Sequence, residues 1–118
     1  MKHIFLFAIT FFLVGNTAFS QDKNYQIRTL AFYNLENLFD TINNTAKEDE
    51  KSPMMELKGN KSKVYWDKID KLGSVLSKIG VEKAKNSPAI IGVVEIENDT
   101  VLRDLVAGKF LKDKRYSI

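Results

Sequence analysis

Six consecutive apolar residues, Ala89-Ile90-Ile91-Gly92-Val93-Val94, constrain the fold of this 118-residue chain more than any other feature. A run that short, bounded by Ser87-Pro88 and a carboxylate, is a strand. Being apolar at every position, it belongs in a sheet covered on both faces. It delivers Glu95 where it ends, and Glu97 follows two residues later. Strand ends build sites because the scaffold fixes the backbone while the end meets solvent.

Residues 27–33 are rich in β-branched and aromatic side chains and read as a second strand. Alternation puts Leu30, Phe32 and Asn34 on one face and Thr29, Ala31 and Tyr33 on the other, apolar on both sides as in an internal strand. Between the strands, residues 62–79 carry Trp66, Ile69, Leu72, Val75, Leu76 and Ile79 at steps of three and four. That spacing predicts a helix whose apolar stripe faces the core. Asn60 or Ser62 can cap its start and Gly80 can close its end. Gly73 costs about 1 kcal/mol relative to alanine inside a helix, which points to close packing there. Residues 99–107 form a second amphipathic helix, capped by Asn98 or Asp99 and ended by Gly108. Residues 40–58 show no period and read as a long exposed loop. Residues 112–118 read as a charged turn entering a further strand.

The order is that of a β-α-β unit with parallel strands, an α/β fold. Parallel strands end on the same edge of their sheet. Asn34 and Glu95 both stand at such ends and are expected to converge.

Residues 1–20 are set apart from the fold. Lys2 and His3 precede an eleven-residue apolar run, Ile4 to Val14, broken only by Thr10, and Ala18-Phe19-Ser20 supplies a small-x-small cleavage pattern. This is the pattern of a signal peptide cut before Gln21, and eleven residues are too few to span a bilayer. Residues 21–118 then form one small domain, exported to a periplasm or beyond the cell and without a transmembrane anchor after cleavage. No cysteine is present for a disulfide or a lipid anchor. Cleavage removes Lys2 and no acid, leaving 17 basic against 15 acidic residues, a charge of +2 that neither requires nor excludes a polyanionic partner. The only histidine, His3, leaves with the leader. No histidine base, serine–histidine pair or cysteine nucleophile remains.

Glu95 is the first candidate. A carboxylate at the end of an apolar strand is costly to bury alone, so it meets solvent, a cation or an arginine. Hard cations such as Mg²⁺ take oxygen ligands, commonly one or two carboxylates with several waters. Glu97 shares a face with Glu95 if the chain stays extended, as a second ligand or a group behind the ligands; alternatively it is a loop acid near a helix start. Asn34 offers an amide oxygen and two donors, to orient a ligated carboxylate, hold a phosphate oxygen or form a turn.

Two segments together resemble a known family. Phe32-Tyr33-Asn34-Leu35-Glu36-Asn37-Leu38-Phe39-Asp40 and Ile90-Ile91-Gly92-Val93-Val94-Glu95-Ile96-Glu97-Asn98 are similar to the first two motifs of the endonuclease/exonuclease/phosphatase superfamily. That group includes pancreatic-type deoxyribonucleases, abasic-site endonucleases, inositol-polyphosphate phosphatases and bacterial sphingomyelinases. Tyr65-Trp66-Asp67-Lys68-Ile69 and Asn98-Asp99-Thr100-Val101-Leu102 look like its exported bacterial endonuclease branch. The resemblance implies a four-layer α/β/β/α sandwich of the pancreatic-deoxyribonuclease type, of which this chain is the N-terminal part. It implies a metal-dependent phosphodiester hydrolase, a secreted nuclease acting on nucleic acid with Mg²⁺, or with Mn²⁺ or Ca²⁺. By motif position Glu95 matches the metal-binding glutamate and Asn34 the active-site asparagine, while Glu97 is a second-sphere candidate. The family's later Asp-x-Asn and Asp–His motifs have no counterpart here, so no general base is expected from this chain and its activity alone is expected to be low. Two alternatives stay open: a lipid or inositol-phosphate phosphoesterase of the same fold, and a non-catalytic truncated module.

Overall fold

The computed structural model describes residues 23–47 and 49–118, so the expected signal peptide, residues 1–20, lies outside the described residues. Strand β1 runs Leu30–Leu38 and strand β2 Ile90–Ile96, joined as a parallel two-stranded sheet. Between them lie helices α1 (Pro53–Glu56), α2 (Lys61–Leu76) and α3 (Val81–Ala84), and α4 (Asp99–Ala107) follows β2. The mixed α/β character and the parallel pairing agree with the sequence reading.

Each strand extends further than its sequence pattern indicates. The ladder pairs Leu30 with Ile90, Phe32 with Gly92 and Asn34 with Val94, then resumes at Leu38 and Ile96. Four steps along β1 match two along β2, so β1 carries extra residues in a bulge, and Glu36 and Asn37 absorb them with φ of 54° and 57°. The Asn-Leu-Glu-Asn sequence resembles a turn because locally it is one; pairing simply continues beyond it.

One face of the sheet builds the core. Leu35 and Leu38 of β1, Tyr65, Ile69, Leu72 and Leu76 of α2, Val101 and Leu105 of α4, and Met54 and Leu111 are buried together. Tyr33, Ile91 and Val93 pack against them from the same face. Each fully buried aliphatic side chain contributes about 1.5–3 kcal/mol of transfer free energy. The other face is open, with Leu30, Phe32 and Ile90 more than 60% exposed. The expectation of strands covered on both faces is therefore corrected: the described residues place helices on one side only.

Helix α2 is rotated relative to its predicted stripe. Tyr65 is buried, whereas Trp66 and Val75 are exposed. The helix stops at Leu76, and Gly80, with φ 72°, precedes α3 instead of closing α2. Asn60 occupies the N-cap position without a side-chain cap bond. Gly73 packs against Phe110 and Leu111, and an added methyl would lie 3.4 Å from Phe110 Cβ, an ordinary contact. Helix α4 has the predicted bounds, and the Asn98 side chain accepts from Val101 N at 3.2 Å.

Residues 40–58 are not the exposed loop their composition suggests. Two 3₁₀ turns, Thr45–Lys47 and Asp49–Lys51, lead into α1. Asp49, Ser52 and Met54 are buried, and Ser52 caps α1 through Met55 N. Short capped turns carry no period, so periodicity could not reveal them. Residues 115–118 form no strand; Tyr116 instead donates from its hydroxyl to Pro88 O. No helix among the described residues is long and apolar enough to cross a membrane.

Candidate active site

Asn34 does not end its strand as expected: β1 runs on to Leu38, and Asn34 is the last rung before the bulge. Asn34 pairs with Val94, so Glu95 follows one residue beyond the Asn34 rung on the neighbouring strand. Both side chains are exposed. Glu95 has φ 59°, a left-handed conformation rare outside glycine, asparagine and aspartate. Among the described residues its carboxylate has no ion-pair partner within 4 Å.

Asn34 is oriented by its own turn. Its Oδ1 accepts from Glu36 N at 2.6 Å. The turn role is realised: the oxygen is held, while the NH₂ group bonds no acceptor among the described residues.

Lys68, on α2, is a functional candidate that sequence reasoning missed. Its Nζ donates to Glu36 O at 2.5 Å and to Asn37 O at 3.1 Å, the carbonyls of the two left-handed bulge residues. Burial pushes its pKa below the usual lysine range, and the charges of Glu36 and Glu95 oppose that shift. The ammonium is thus within electrostatic reach of Glu95 without forming an ion pair with it. A lysine on a helix surface carries no sequence signal for this role.

Glu97 has a different environment. The left-handed Glu95 breaks the extended alternation, so the premise of a shared face fails. Glu97 Oε2 accepts from Asp40 N at 2.9 Å, and Glu97 N donates to Leu38 O. Asn98 Nδ2 donates to Asp40 Oδ2 at 3.1 Å. Burial pushes the Glu97 carboxyl above its ordinary value; the Asp40 N–H bond opposes this, and the carboxylates of Asp40 and Asp49 reinforce it. Nearby, the Tyr65 hydroxyl donates to Asp104 Oδ2 at 2.7 Å. Burial raises the Tyr65 pKa above its ordinary value, with Asp104 adding to the shift.

Available metal donors at the edge are oxygens, which suit Mg²⁺, Mn²⁺ or Ca²⁺ and not a thiolate or imidazole site. Among the described residues no three Asp, Glu, His or Cys side chains are gathered to hold an ion. Of the candidates Asn34, Glu95 and Glu97, only Glu95 offers an exposed carboxylate. The apolar cavity between β2, α4 and residues 115–118, lined by Ile91, Val93, Leu102 and Tyr116, contains neither Asn34 nor Glu95.

Residues 29–118 match the model of the Endonuclease/Exonuclease/phosphatase family. The chain belongs to this family. Its members are phosphoester hydrolases, which fits a polar edge with an open carboxylate and an amide donor. No curated protein and no solved structure matches the chain.

Proposed function

We propose that this chain carries the metal-holding edge of a secreted, divalent-metal-dependent phosphodiester hydrolase acting on nucleic acid. The observation supporting it is the register that sets exposed Glu95 one step beyond the rung of exposed Asn34, where the regular ladder of the two parallel strands gives way to the bulge. Glu95 would hold Mg²⁺, or Mn²⁺ or Ca²⁺ in its place. A bound divalent ion at this edge supplies charge stabilisation on phosphate oxygens. The Asn34 NH₂ group, aimed by the Glu36 N–H bond to its oxygen, donates to a phosphate oxygen and orients the ester. Glu97, bonded to Asp40 N, stands behind this edge and fixes the chain leaving β1. The open face carrying Leu30, Phe32 and Ile90 suits the second sheet of a four-layer sandwich. Secretion rests on the leader pattern of residues 1–20. The dependence of cleavage on Glu95 is the deciding readout.

The test combines binding and cleavage. Mn²⁺ added to the isotope-labelled chain is expected to broaden the Glu95 and Asn34 signals first, and Glu95→Gln to abolish that broadening. Nicking of supercoiled DNA should require Mg²⁺ or Mn²⁺ and fall with the same variant. Broadening centred elsewhere, or nicking indifferent to Glu95→Gln, overturns the reading.

A further inference from the structure

We propose that Lys68 is the positioning residue of the Asn34–Glu95 edge: its ammonium clamps the carbonyls of Glu36 and Asn37 and thereby fixes the direction of the Asn34 amide. The functional consequence rests on the reading of Asn34 and Glu95 given above; the positional effect does not. Glu36 and Asn37 are consecutive non-glycine residues with φ of 54° and 57°. That conformation is disfavoured for side-chain-bearing residues and persists only where surrounding structure enforces it. It turns both carbonyls toward one point, where the Lys68 ammonium meets them at 2.5 and 3.1 Å. Lysine offers three donors and no acceptor, so one side chain serves both oxygens.

The coupling to Asn34 runs through Glu36. Glu36 carries both bonds, on the two peptide units that meet at its Cα: its N–H holds Asn34 Oδ1 and its carbonyl accepts from Lys68, so fixing the Glu36 backbone fixes both. Lys68 therefore governs which way the Asn34 NH₂ group faces without touching it. The same ammonium lies within electrostatic reach of Glu95 and contributes positive charge beside it. The clamp spans more than thirty residues of sequence and ties the strand end to the middle of α2, whose next turn holds the buried Ile69 and Leu72. A rigid helix thus carries the geometry of an exposed strand tip.

The experiment compares the full chain with its Lys68→Met, Lys68→Arg and Lys71→Met variants. Lys71 is exposed on the same helix and controls for loss of charge. Lys68→Met is expected to move the Asn34 side-chain amide resonances and to speed amide exchange at Glu36 and Asn37. Lys68→Arg should restore most of both signatures, and Lys71→Met should change neither. In the unmutated chain the Lys68 ammonium protons should exchange with water more slowly than those of Lys71, a readout that requires no variant. Unmoved Asn34 and Glu36 signals in Lys68→Met, or equal ammonium exchange at Lys68 and Lys71, overturns the proposal. Failure of the metal reading has a different signature: Mn²⁺ leaves Glu95 unaffected while Lys68→Met still shifts Asn34.

Discussion

The sheet edge divides into two regions with opposite characters. The outer one holds exposed Asn34, Glu36 and Glu95, the last two in left-handed backbone, beside the half-buried Lys68. The inner one, with Asp40, Asp49, Glu97, Asn98 and the Tyr65–Asp104 pair, is half-buried to buried and internally hydrogen-bonded. Glu95 and Glu97 are two residues apart and chemically identical, yet one meets solvent and the other anchors the chain leaving β1. The difference follows from backbone conformation, not residue type. A single left-handed residue at Glu95 ends the alternation that would otherwise place both acids on one face. Strain at the outer region leaves an open carboxylate, and the bonded inner region provides the rigid support against which that strain is held.

The largest expected contrast is in metal affinity. Glu95→Gln removes the exposed carboxylate, and Mn²⁺ binding should weaken roughly hundredfold or more, since even outer-sphere changes cost 10–100-fold. Its thermal stability should change by less than about 0.5 kcal/mol, as for most surface substitutions. Calorimetric titration with Mn²⁺ alongside thermal melts checks both halves. A large stability loss would place Glu95 with the inner region and erase the distinction.

Asn98→Ala tests the inner region next. The Asn98 side chain caps α4 through Val101 N and donates to Asp40 Oδ2. Losing the cap and the Asp40 bond together should cost about 2 kcal/mol, the upper end for a helix cap. Urea unfolding measures it, and Mn²⁺ affinity should be nearly unchanged.

Tyr65→Phe is smaller and carries a pH signature. Removing the hydroxyl bond to Asp104 should cost about 1 kcal/mol at neutral pH. Tyr65 has a pKa raised above its ordinary 10.0 by burial and by Asp104. A group raised in the folded state contributes stability that is complete below its unfolded pKa and is lost as pH rises through the folded one. The native chain should therefore lose stability above about pH 10 more steeply than Tyr65→Phe, and urea unfolding at pH 8 and pH 10.5 compares the two slopes.

The two regions were not equally legible from sequence. Parallel pairing, the bounds of α4 and the neighbouring rungs of Asn34 and Glu95 followed from periodicity, capping chemistry and the end of an apolar run. Those signals are local, and local physics determines them. The bulge at Glu36 and Asn37, the burial of Asp49 and Met54, and the reach of Lys68 were not legible. Each depends on a contact between distant segments, and the residues involved resemble an ordinary turn, a polar loop and a solvated lysine. The rotation of α2 has the same origin: Tyr65 and Trp66 are adjacent aromatics, and only the Asp104 partner on α4 selects Tyr65 for the interior. Sequence thus showed which groups the edge would carry but not what holds them.

The smallest predicted effect separates the regions most cleanly. Glu97→Gln keeps a side-chain oxygen that can accept from Asp40 N but removes a negative charge facing Asp40 and Asp49. Two influences oppose each other: the charge-assisted bond weakens, while burial and carboxylate repulsion are relieved. Burial raises the Glu97 carboxyl above its ordinary value, so folding disfavours its charged form and the second influence is the larger. Near solvent the gain is screened, so the variant should be more stable by about 0.5 kcal/mol or less at neutral pH. The sign carries over to pH. The native chain's contribution from Glu97 is complete below its unfolded value, near 4.5, and is lost as pH rises through the raised folded value. Glu97→Gln should flatten that slope, measured by urea unfolding between pH 4 and pH 7. Its Mn²⁺ affinity should match that of the native chain within a factor of about two; a loss of 10–100-fold would instead make Glu97 an outer-sphere partner of Glu95 and merge the two regions into one site.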